Sequence, residues 1–403
     1  MLGAVLILLA VVQSYDLVLR GGRLLDPRNG IDAVLDVAVA DGTIAAVAES
    51  IDASQARMVV DARGLLVVPG LVDLHAHVFF GTEPNAEYSN GYNALSPDGF
   101  TFRSCVTTVV DTGGSGWRNF PQFKDQVIDR SETRVLAMLN IVGSGMKGGP
   151  VEQNLSDMDA KLTAMRAAEF PGIVVGIKVA HYRGAEWDPV DRAVAAGELA
   201  GIPVMVDFGG HQPPLSLEDL LLNRLRTGDI FTHAYAQVDG RITIVDEAGT
   251  LRPYVRKARE RGIVFDVGHG AGSFVYRQAR PAMEQGFPPD TISTDLHRAS
   301  MNGGMKDMLN VMSKLLGLGM PIEDAVRAAT SSAARAIDRP ELGHLGVGAG
   351  ADVAVLRVRE GNFGFVDVGG ERSEGHSKLE CELTLRAGKV VWDLNGISTS
   401  SGR

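Results

Sequence analysis

Residues 66–77 read Leu-Val-Val-Pro-Gly-Leu-Val-Asp-Leu-His-Ala-His, an apolar run that ends in two histidines. Apolar residues that continue without alternation are typical of a parallel strand that is covered on both faces of its sheet. Residues two apart in a strand point to the same face, so His75 and His77 form a pair of imidazoles suited to a metal ion. This stretch predicts a buried strand with a metal-binding pair at its carboxyl end, although a single His-x-His also occurs by coincidence.

Seven further apolar runs follow, spaced so that a helix fits between them, with helices expected at 190–200 and 250–261. The eight strand candidates are Leu66–His75, Thr107–Asp111, Arg134–Ile141, Ile173–Val179, Pro203–Asp207, Asp229–His233, Gly262–Val267 and Thr291–Asp295. Eight parallel strands close a (β/α)8 TIM barrel, so the predicted class is α/β. An open doubly wound sheet is the alternative, but it needs a glycine-rich phosphate-binding turn after the first strand, and none is present there.

Short strands with tight turns are expected at both ends of the chain. At the amino end, Gly21-Gly22 and Asp41-Gly42 stand where hairpin turns would fall. At the carboxyl end, strands are expected at 351–357 and 382–392, with a turn at Gly388-Lys389. We therefore expect residues 15–64 and 343–403 to form one small β-sandwich module beside a barrel of residues 65–342.

The later strand candidates also end in residues that can bind metals or carry protons. Lys178 lies in the fourth strand, His233 ends the sixth, His269 follows the seventh and Asp295 ends the eighth. Active sites of barrels lie at the carboxyl ends of the strands, so these side chains are expected to meet. A lysine inside an apolar strand is costly to bury as a cation. It is either a salt-bridged structural residue or a neutral amine, which CO2 would convert into an anionic carbamate able to bridge two metals.

These residues and their surroundings resemble the amidohydrolase superfamily. The stretch 68–77 is similar to the superfamily's first-strand motif. Lys178, His233 and Asp295 match its carboxylated lysine, its later metal histidine and its last-strand aspartate. Segment 343–356 resembles the return of the chain into the β-module, so the resemblance extends over nearly the whole sequence.

Three shorter motifs resemble one branch of this superfamily more closely. They are Gly176–Tyr182, Phe265–Gly270 and Ser293–His297. They are similar to the amidohydrolase/deacetylase branch, which is often labelled dihydroorotase-like and includes enzymes that cleave acetyl esters of 2-hydroxy acids. The resemblance implies a metal-dependent hydrolase of the deacetylase kind.

The resemblance implies two divalent metal ions that share the carboxylated Lys178. The expected metal ligands are His75, His77, Lys178, Asp207, His233 and Asp295. Many members have a histidine at the end of strand five, whereas this chain has Asp207 there and His211 in the following loop. We expect Asp207 to bind, because a strand end is more rigid than a loop; His211, or a single metal, are the alternatives. Zinc suits these ligands, with manganese, iron or cobalt as alternatives.

In the implied reaction, a water held by the metals loses a proton and attacks the substrate carbonyl. Asp295 is expected to take this proton and to deliver it to the leaving group. His269, or the backbone of 268–272, is expected to stabilise the oxyanion, and a supporting hydrogen bond is the other interpretation of His269. His181 and His297 are expected to contact the substrate or to support the ligands.

Two other functions remain open at this point. A cyclic-amide hydrolase of the dihydroorotase or hydantoinase kind has the same fold and differs in the shape of its substrate. A non-catalytic barrel that serves as a scaffold would be expected to have lost its strand-end ligands, and this chain retains them. The loops 78–100 and 146–154 are expected to frame the pocket. Arg103 or Arg183 could hold a substrate carboxylate there, and a salt bridge at the surface is the alternative for each.

The composition of the 403 residues limits the partners. Lys and Arg total 39 and Asp and Glu total 49, which gives a net charge of −10 and makes nucleic acid an unsuitable ligand. A small-molecule substrate is expected, and a homo-oligomer is compatible with the sequence. Residues 2–12, LGAVLILLAVV, are too few to span a bilayer. They predict a signal peptide at residues 1–14 and export to the periplasm or the extracellular space, with a cytoplasmic protein as the alternative.

The chain has two cysteines, Cys105 and Cys381, which are far apart in the sequence and belong to no Cys-x-x-Cys motif. They form neither a disulfide framework nor a cysteine-based zinc site. We expect both to be buried and unpaired, and a disulfide between them is the less favoured alternative.

Overall fold

The computed structural model describes residues 14–400, and the predicted signal peptide therefore lies outside it except for Ser14. The described strands are β1 (Tyr15–Asp26), β2 (Ile31–Ala40), β3 (Thr43–Ala48), β4 (Ala56–Asp61), β5 (Leu66–Pro69), β6 (Leu71–Ala76), β7 (Val106–Gly116), β8 (Arg134–Asn140), β9 (Val174–Val179), β10 (Val204–Val206), β11 (Ile230–Phe231), β12 (Val264–Phe265), β13 (Val353–Val366), β14 (Arg372–Arg386), β15 (Lys389–Asp393) and β16 (Ser398–Ser400). The α-helices are α1 (Phe120–Gln126), α2 (Ala160–Glu169), α3 (Asp188–Ala200), α4 (Leu217–Asp219), α5 (Pro253–Glu260), α6 (Tyr276–Glu284), α7 (Arg298–Asn302), α8 (Met308–Gly317), α9 (Ile322–Ala328) and α10 (Ser331–Ala336). These elements form two sheets with helices around the second.

The first sheet is built from both ends of the chain, as the sequence predicted for the β-sandwich module. Its strands follow the order β15-β14-β13-β5-β1-β2-β3, while β4 pairs with β1 and β16. Buried apolar side chains from the two ends, such as Leu19, Val37, Val353 and Leu383, pack in one cluster. Because these side chains come from opposite ends of the chain, neither end could bury its apolar face alone.

Strands β13 and β14 form a hairpin that is longer than the sequence indicated. Their pairing continues to Val366 opposite Arg372, well beyond the expected segment 351–357. The outer part of β13 has a run of exposed residues that include Arg357 and Glu360, so it lacks the apolar alternation that marks a strand. The hairpin crosses α8, where the backbone N–H of Leu379 donates to Ser313 Oγ at 3.0 Å.

The second sheet is the barrel, and it is parallel in the order β12-β11-β10-β9-β8-β7-β6. The eighth predicted strand, at 291–295, closes it in an irregular form. Bridges join Thr291 to Asp266 on one side and Leu296 to Ala76 on the other. Strands β6, β7 and β9 are buried along their full lengths. The predicted (β/α)8 TIM barrel with an attached β-module is therefore confirmed.

The first predicted barrel strand is divided between the two sheets. Residues 66–69 pair with β1 and β13, and only the residues from Leu71 onward join the barrel. The division occurs at Gly70, where an added Cβ would lie 2.3 Å from Thr107 Oγ1. A continuous apolar run cannot indicate this change of sheet, because both halves are equally buried.

Among residues 14–400, no helix combines the length and the apolar composition that a membrane crossing requires.

The expectation that the two cysteines are unpaired is wrong. Cys105, which immediately precedes β7, forms a disulfide with Cys381 on β14, and their Cα atoms are 5.5 Å apart. The bond joins the barrel to the β-module across a sequence separation of 276 residues. Sequence spacing did not suggest the pair, because the two residues become neighbours only when the β-module packs on the barrel, where Cys105 also lies against the carbonyls of Val355 and Leu383.

Replacing both cysteines, as Cys105→Ala with Cys381→Ala, should lower the free energy of unfolding by about 2–5 kcal/mol, since the bond restricts the unfolded chain. Denaturant unfolding of the double variant and the oxidised wild type measures the difference. Reduced wild type is the control and should match the variant. Equal stability of the oxidised and variant proteins would contradict the prediction.

Candidate active site

The carboxyl ends of the barrel strands surround a cavity of about 450 Å³. Its wall contains Asp207, His233 and Asp295, which the sequence predicted as metal ligands. The other ionisable and hydroxyl side chains of the wall are Tyr88, His181, Arg183, Asp239, Arg241, Ser273 and His297. The cavity thus lies where active sites of barrels are found.

Three residues of the wall have a backbone that only glycine adopts easily. His181, His233 and Asp295 have φ values of 57°, 55° and 52°. A left-handed conformation costs about 1 kcal/mol or more for such residues, and it persists only where surrounding contacts enforce it. The chain turns sharply at these strand ends, which directs the three side chains into the cavity.

His75, His77 and Asp295 form the tightest group of potential ligands. One ligand atom from each lies within 4.8 Å of the others, and all three residues are buried. His77 Nε2 lies 2.8 Å and His75 Nε2 lies 3.6 Å from Asp295 Oδ1. His77 Nδ1 is buried and has no hydrogen-bond partner among residues 14–400. Two imidazoles and a carboxylate are ligands that suit zinc and related metals, so the donor set fits a metal ion.

A hydrogen-bond chain fixes the protonation of His75. Thr232 donates its hydroxyl proton to Asp266 Oδ2 at 2.7 Å, so its oxygen accepts the N–H of His75 Nδ1 at 3.0 Å. Burial and the nearby Lys178 lower the pKa of His75 well below its ordinary value. The ring is therefore neutral, and the lone pair of His75 Nε2 faces Asp295.

Lys178 lies beside this group and is only 1% exposed. Its Nζ is 3.2 Å from His75 Nε2 and 3.5 Å from Met205 Sδ, and no carboxylate oxygen in residues 14–400 lies within 4.0 Å of it. Burial lowers the pKa of Lys178. A salt-bridged structural lysine is therefore not what the structure contains, and carboxylation of Lys178 stays a prediction.

Asp207 and His233 lie on the other side of the cavity. The N–H of His233 Nδ1 donates to the Gly268 carbonyl at 2.5 Å, which leaves Nε2 free, 3.6 Å from Asp207 Oδ2. Burial acts to raise the pKa of Asp207, but the neighbouring His233, His181, Lys178 and Arg241 outweigh it and hold the pKa below its ordinary value. An ionised carboxylate and a free imidazole nitrogen form a second candidate ligand pair.

His211, the alternative to Asp207, is turned away from the cavity. Its Nδ1 donates to the Gly184 carbonyl at 3.0 Å, and its ring packs on Phe208 with centroids 4.9 Å apart. It is absent from the cavity wall, whereas Asp207 is part of it. The geometry favours Asp207, although ligation itself stays a prediction.

His269 is not in the cavity wall, which differs from its expected role at the oxyanion. Its ring is fully buried, and its Nε2 accepts a hydrogen bond from Lys314 Nζ at 2.7 Å. Burial and the Lys314 cation lower the pKa of His269 to about 3. The glycines on either side of it, Gly268 and Gly270, both have positive φ values. Ala271 and Gly272 do lie in the wall. Stabilisation of the oxyanion by the backbone of 268–272, the alternative to His269, therefore stays a prediction.

His181 has a buried partner that sequence reasoning missed. Its Nδ1 lies 2.8 Å from Glu152 Oε2, and Glu152 Oε1 accepts the backbone N–H of Gly148 at 2.7 Å. Burial opposes protonation, but Glu152 raises the pKa of His181 to about 9. Glu152 lies in the segment 146–154 that was expected to frame the pocket, and no pattern distinguished it there.

Arg241 was also missed, since it follows strand six without a recognisable motif. Its side chain is 2% exposed, and its guanidinium donates to the His233 carbonyl at 2.6 Å and lies 4.0 Å from Asp207 Oδ1. Of the two arginines expected at the pocket, Arg183 lies in the wall and Arg103 lines a different cavity. His297 is in the wall as well, with Nε2 3.9 Å from Asp295 Oδ2.

Thr232→Val should weaken the binding of a divalent cation about 10- to 100-fold, because it removes the acceptor that orients His75. Competition with a coloured chelator measures the affinity. Thr291→Val is the matched control, since Thr291 also donates to Asp266 at 2.7 Å but does not contact His75. Equal losses in both variants would contradict the role of the His75 contact.

Comparison with known proteins agrees with this geometry. The family model described as "Amidohydrolase family" matches residues 275–373. A deacetylase of Brucella anthropi is 33% identical over 368 residues, which cover 89% of this chain and 88% of that protein. A deacetylase of Agrobacterium fabrum is 33% identical over 340 residues, which cover 83% of this chain and 80% of that protein.

Solved structures extend the similarity to the whole fold. The structure of an adenine deaminase has a TM-score of 0.82 and 26% identity, covering 94% of this chain and 100% of that chain. The structure of a dihydroorotase has a TM-score of 0.81 and 28% identity, covering 94% of this chain and 99% of that chain. Together with the relatives that match most of its length, these similarities show that the chain is a hydrolase belonging to the amidohydrolase family.

Proposed function

We propose that this hydrolase removes an acetyl or similar short acyl group from a small ester or amide, with divalent metal ions as cofactors. The observation that carries the proposal is the convergence of His75, His77 and Asp295 within 4.8 Å. The similarity to two proteins named deacetylase supports the choice of reaction. A cavity of about 450 Å³ is of a size that suits a small molecule.

The proposed cofactor is a pair of zinc ions that share the carboxylated Lys178. The first ion would be held by His75, His77, Lys178 and Asp295, and the second by Lys178, Asp207 and His233. When bound, such ions polarise a carbonyl and lower the pKa of a water. The lack of a carboxylate within 4.0 Å of Lys178 Nζ, among residues 14–400, supports a modified lysine at this position.

Asp295 is the proposed base. Burial acts to raise its pKa, but His75, His77 and His297 outweigh this and hold the pKa of Asp295 well below its ordinary value. The carboxylate is therefore ionised at neutral pH and can take a proton from water as the water oxygen attacks the carbonyl carbon. When the bond to the leaving oxygen or nitrogen breaks, its electron pair stays with that atom, which receives the proton back from Asp295.

The second candidate reaction is hydrolysis of a cyclic amide. The dihydroorotase structure that matches 94% of this chain at 28% identity favours it. Dihydroorotate and a hydantoin therefore belong in the same substrate screen as the acetyl esters and N-acetyl compounds. Turnover of the cyclic amides alone would replace the deacetylase proposal.

Lys178→Ala should lose most of the bound metal, because the shared ligand is removed. Metal content per chain is measured on protein purified in the presence of bicarbonate, and the wild type should hold about two ions. Lys306→Ala, at an exposed lysine, is the control and should keep the wild-type content. About one ion in the wild type would contradict the second position, and no metal after reconstitution, with no acyl hydrolysis, would contradict the proposal.

We also propose that the protein is exported from the cytoplasm. The buried disulfide between Cys105 and Cys381 supports this, because such bonds persist in oxidising compartments and are rare in the cytosol. Cell fractionation should place the protein outside the cytoplasm, and thiol titration after denaturation should find no free thiol. Cytoplasmic protein with two free thiols would contradict export.

A further inference from the structure

Lys314 on α8 is a buried lysine that the proposed reaction does not use, and burial lowers its pKa to about 7. It is 1% exposed, and within residues 14–400 its Nζ has no carboxylate oxygen within 4.0 Å. It donates instead to the carbonyls of Gly304 at 2.6 Å and Val366 at 2.7 Å, and to His269 Nε2 at 2.7 Å. The three N–H groups of the ammonium are thereby all used.

His269 transmits this contact to the next segment of chain. Because its Nε2 accepts from Lys314, the ring proton is on Nδ1, which donates to the Gly270 carbonyl at 3.0 Å. The ring stacks on Phe274 at 4.7 Å between centroids and 10° between planes. Lys314 therefore fixes the His269 ring, which in turn contacts both ends of the segment 270–274.

The tip of the β13–β14 hairpin holds the same segment from the other side. The N–H of Val368 donates to the Phe274 carbonyl at 3.2 Å, and the N–H of Tyr276 donates to Asp367 Oδ2 at 3.0 Å. Asp367 Oδ1 accepts the N–H of Gly369 at 2.8 Å, which fixes the turn of the hairpin. Val366, which accepts from Lys314, belongs to this tip.

The loop 270–273 borders the active-site cavity. Ala271, Gly272 and Ser273 lie in its wall. The backbone at Gly270 packs so closely on Asp295 that an added Cβ would lie 2.4 Å from Asp295 Oδ2. A shift of this loop would therefore change both the wall and the surroundings of the proposed base.

We propose that Lys314 is a positioning residue, which together with His269 and the hairpin tip holds the loop 270–273 against Asp295 in its catalytic conformation. The inference rests on the proposed acyl hydrolysis. It adds that the β-module, through its hairpin tip, helps to hold a loop of the active site. A contact that only attached the hairpin to α8 would not need a lysine, since apolar side chains would join the same elements without the cost of burying a polar group. Lys314 instead makes three directed hydrogen bonds: to His269, to the Gly304 carbonyl before α8 and to the Val366 carbonyl at the hairpin tip.

The first test compares Lys314→Met with the matched variant Lys306→Met, at an exposed lysine of the same region. Steady-state kinetics with an acetyl ester are measured well below the unfolding temperature and normalised to metal content. Lys314→Met should lower kcat about 10- to 100-fold, because small displacements of reacting groups have effects of this size. KM and metal content should change little, and Lys306→Met should resemble the wild type. An unchanged kcat, or a loss explained by lost metal, overturns the inference.

The second test does not depend on turnover. Hydrogen exchange of backbone amides in Lys314→Met should become at least about tenfold faster in residues 268–276, while the barrel strands keep their protection. Unchanged exchange in this segment overturns the inference even if kcat falls. A metal-loaded wild type that hydrolyses no acyl compound contradicts the proposed function, and the exchange result then still decides whether Lys314 holds the loop.

Discussion

Closure of the barrel at Asp73 is the contact on which the site depends. Asp73 on β6 accepts both the backbone N–H and the hydroxyl of Thr294, at positions 221 residues apart. Burial raises the pKa of Asp73 to about 7, and the hydrogen bonds from Thr294 and His75 oppose this rise. Asp73 lies two residues before His75, and Thr294 lies directly before Asp295. The contact between Asp73 and Thr294 therefore brings His75 beside Asp295. The first and last strands of a barrel are neighbours only when it closes, so the metal site and the closure form together.

The barrel and the meeting of its strand-end side chains were predictable from the sequence, because parallel strands follow simple rules. Each buried strand gave an apolar run, and the carboxyl ends of such strands must meet at one end of a barrel. The positions of Lys178, His233 and Asp295 follow from that rule alone. Asp207 was expected to be better placed than His211 for the same reason, since a strand end is held by its neighbours and a loop is not. The resemblance to a family added the chemistry to this geometry.

The remainder depends on contacts that one sequence does not reveal. His269 follows a strand just as His233 does, but its ring contacts the buried Lys314 and takes no part in the cavity wall. Glu152 becomes significant only when its loop folds over His181. The pairing of Cys105 with Cys381 required the β-module to pack on the barrel, because Cys381 lies on β14 opposite the buried Leu356 of β13. In each case the deciding partner lies on an element from a distant part of the chain.

The division of one sheet between the two ends of the chain has a consequence for synthesis. Strand β4 pairs with β16, and Val59 accepts from Thr399 across 340 residues. The edge of β4 that β16 covers stays open until the ribosome has made residues 398–400. Contacts of such long range fold slowly and leave hydrogen-bonding edges exposed in the meantime. The nascent protein thus has an interval in which its first strands can pair with other chains, and a chaperone that covers them would act in that interval.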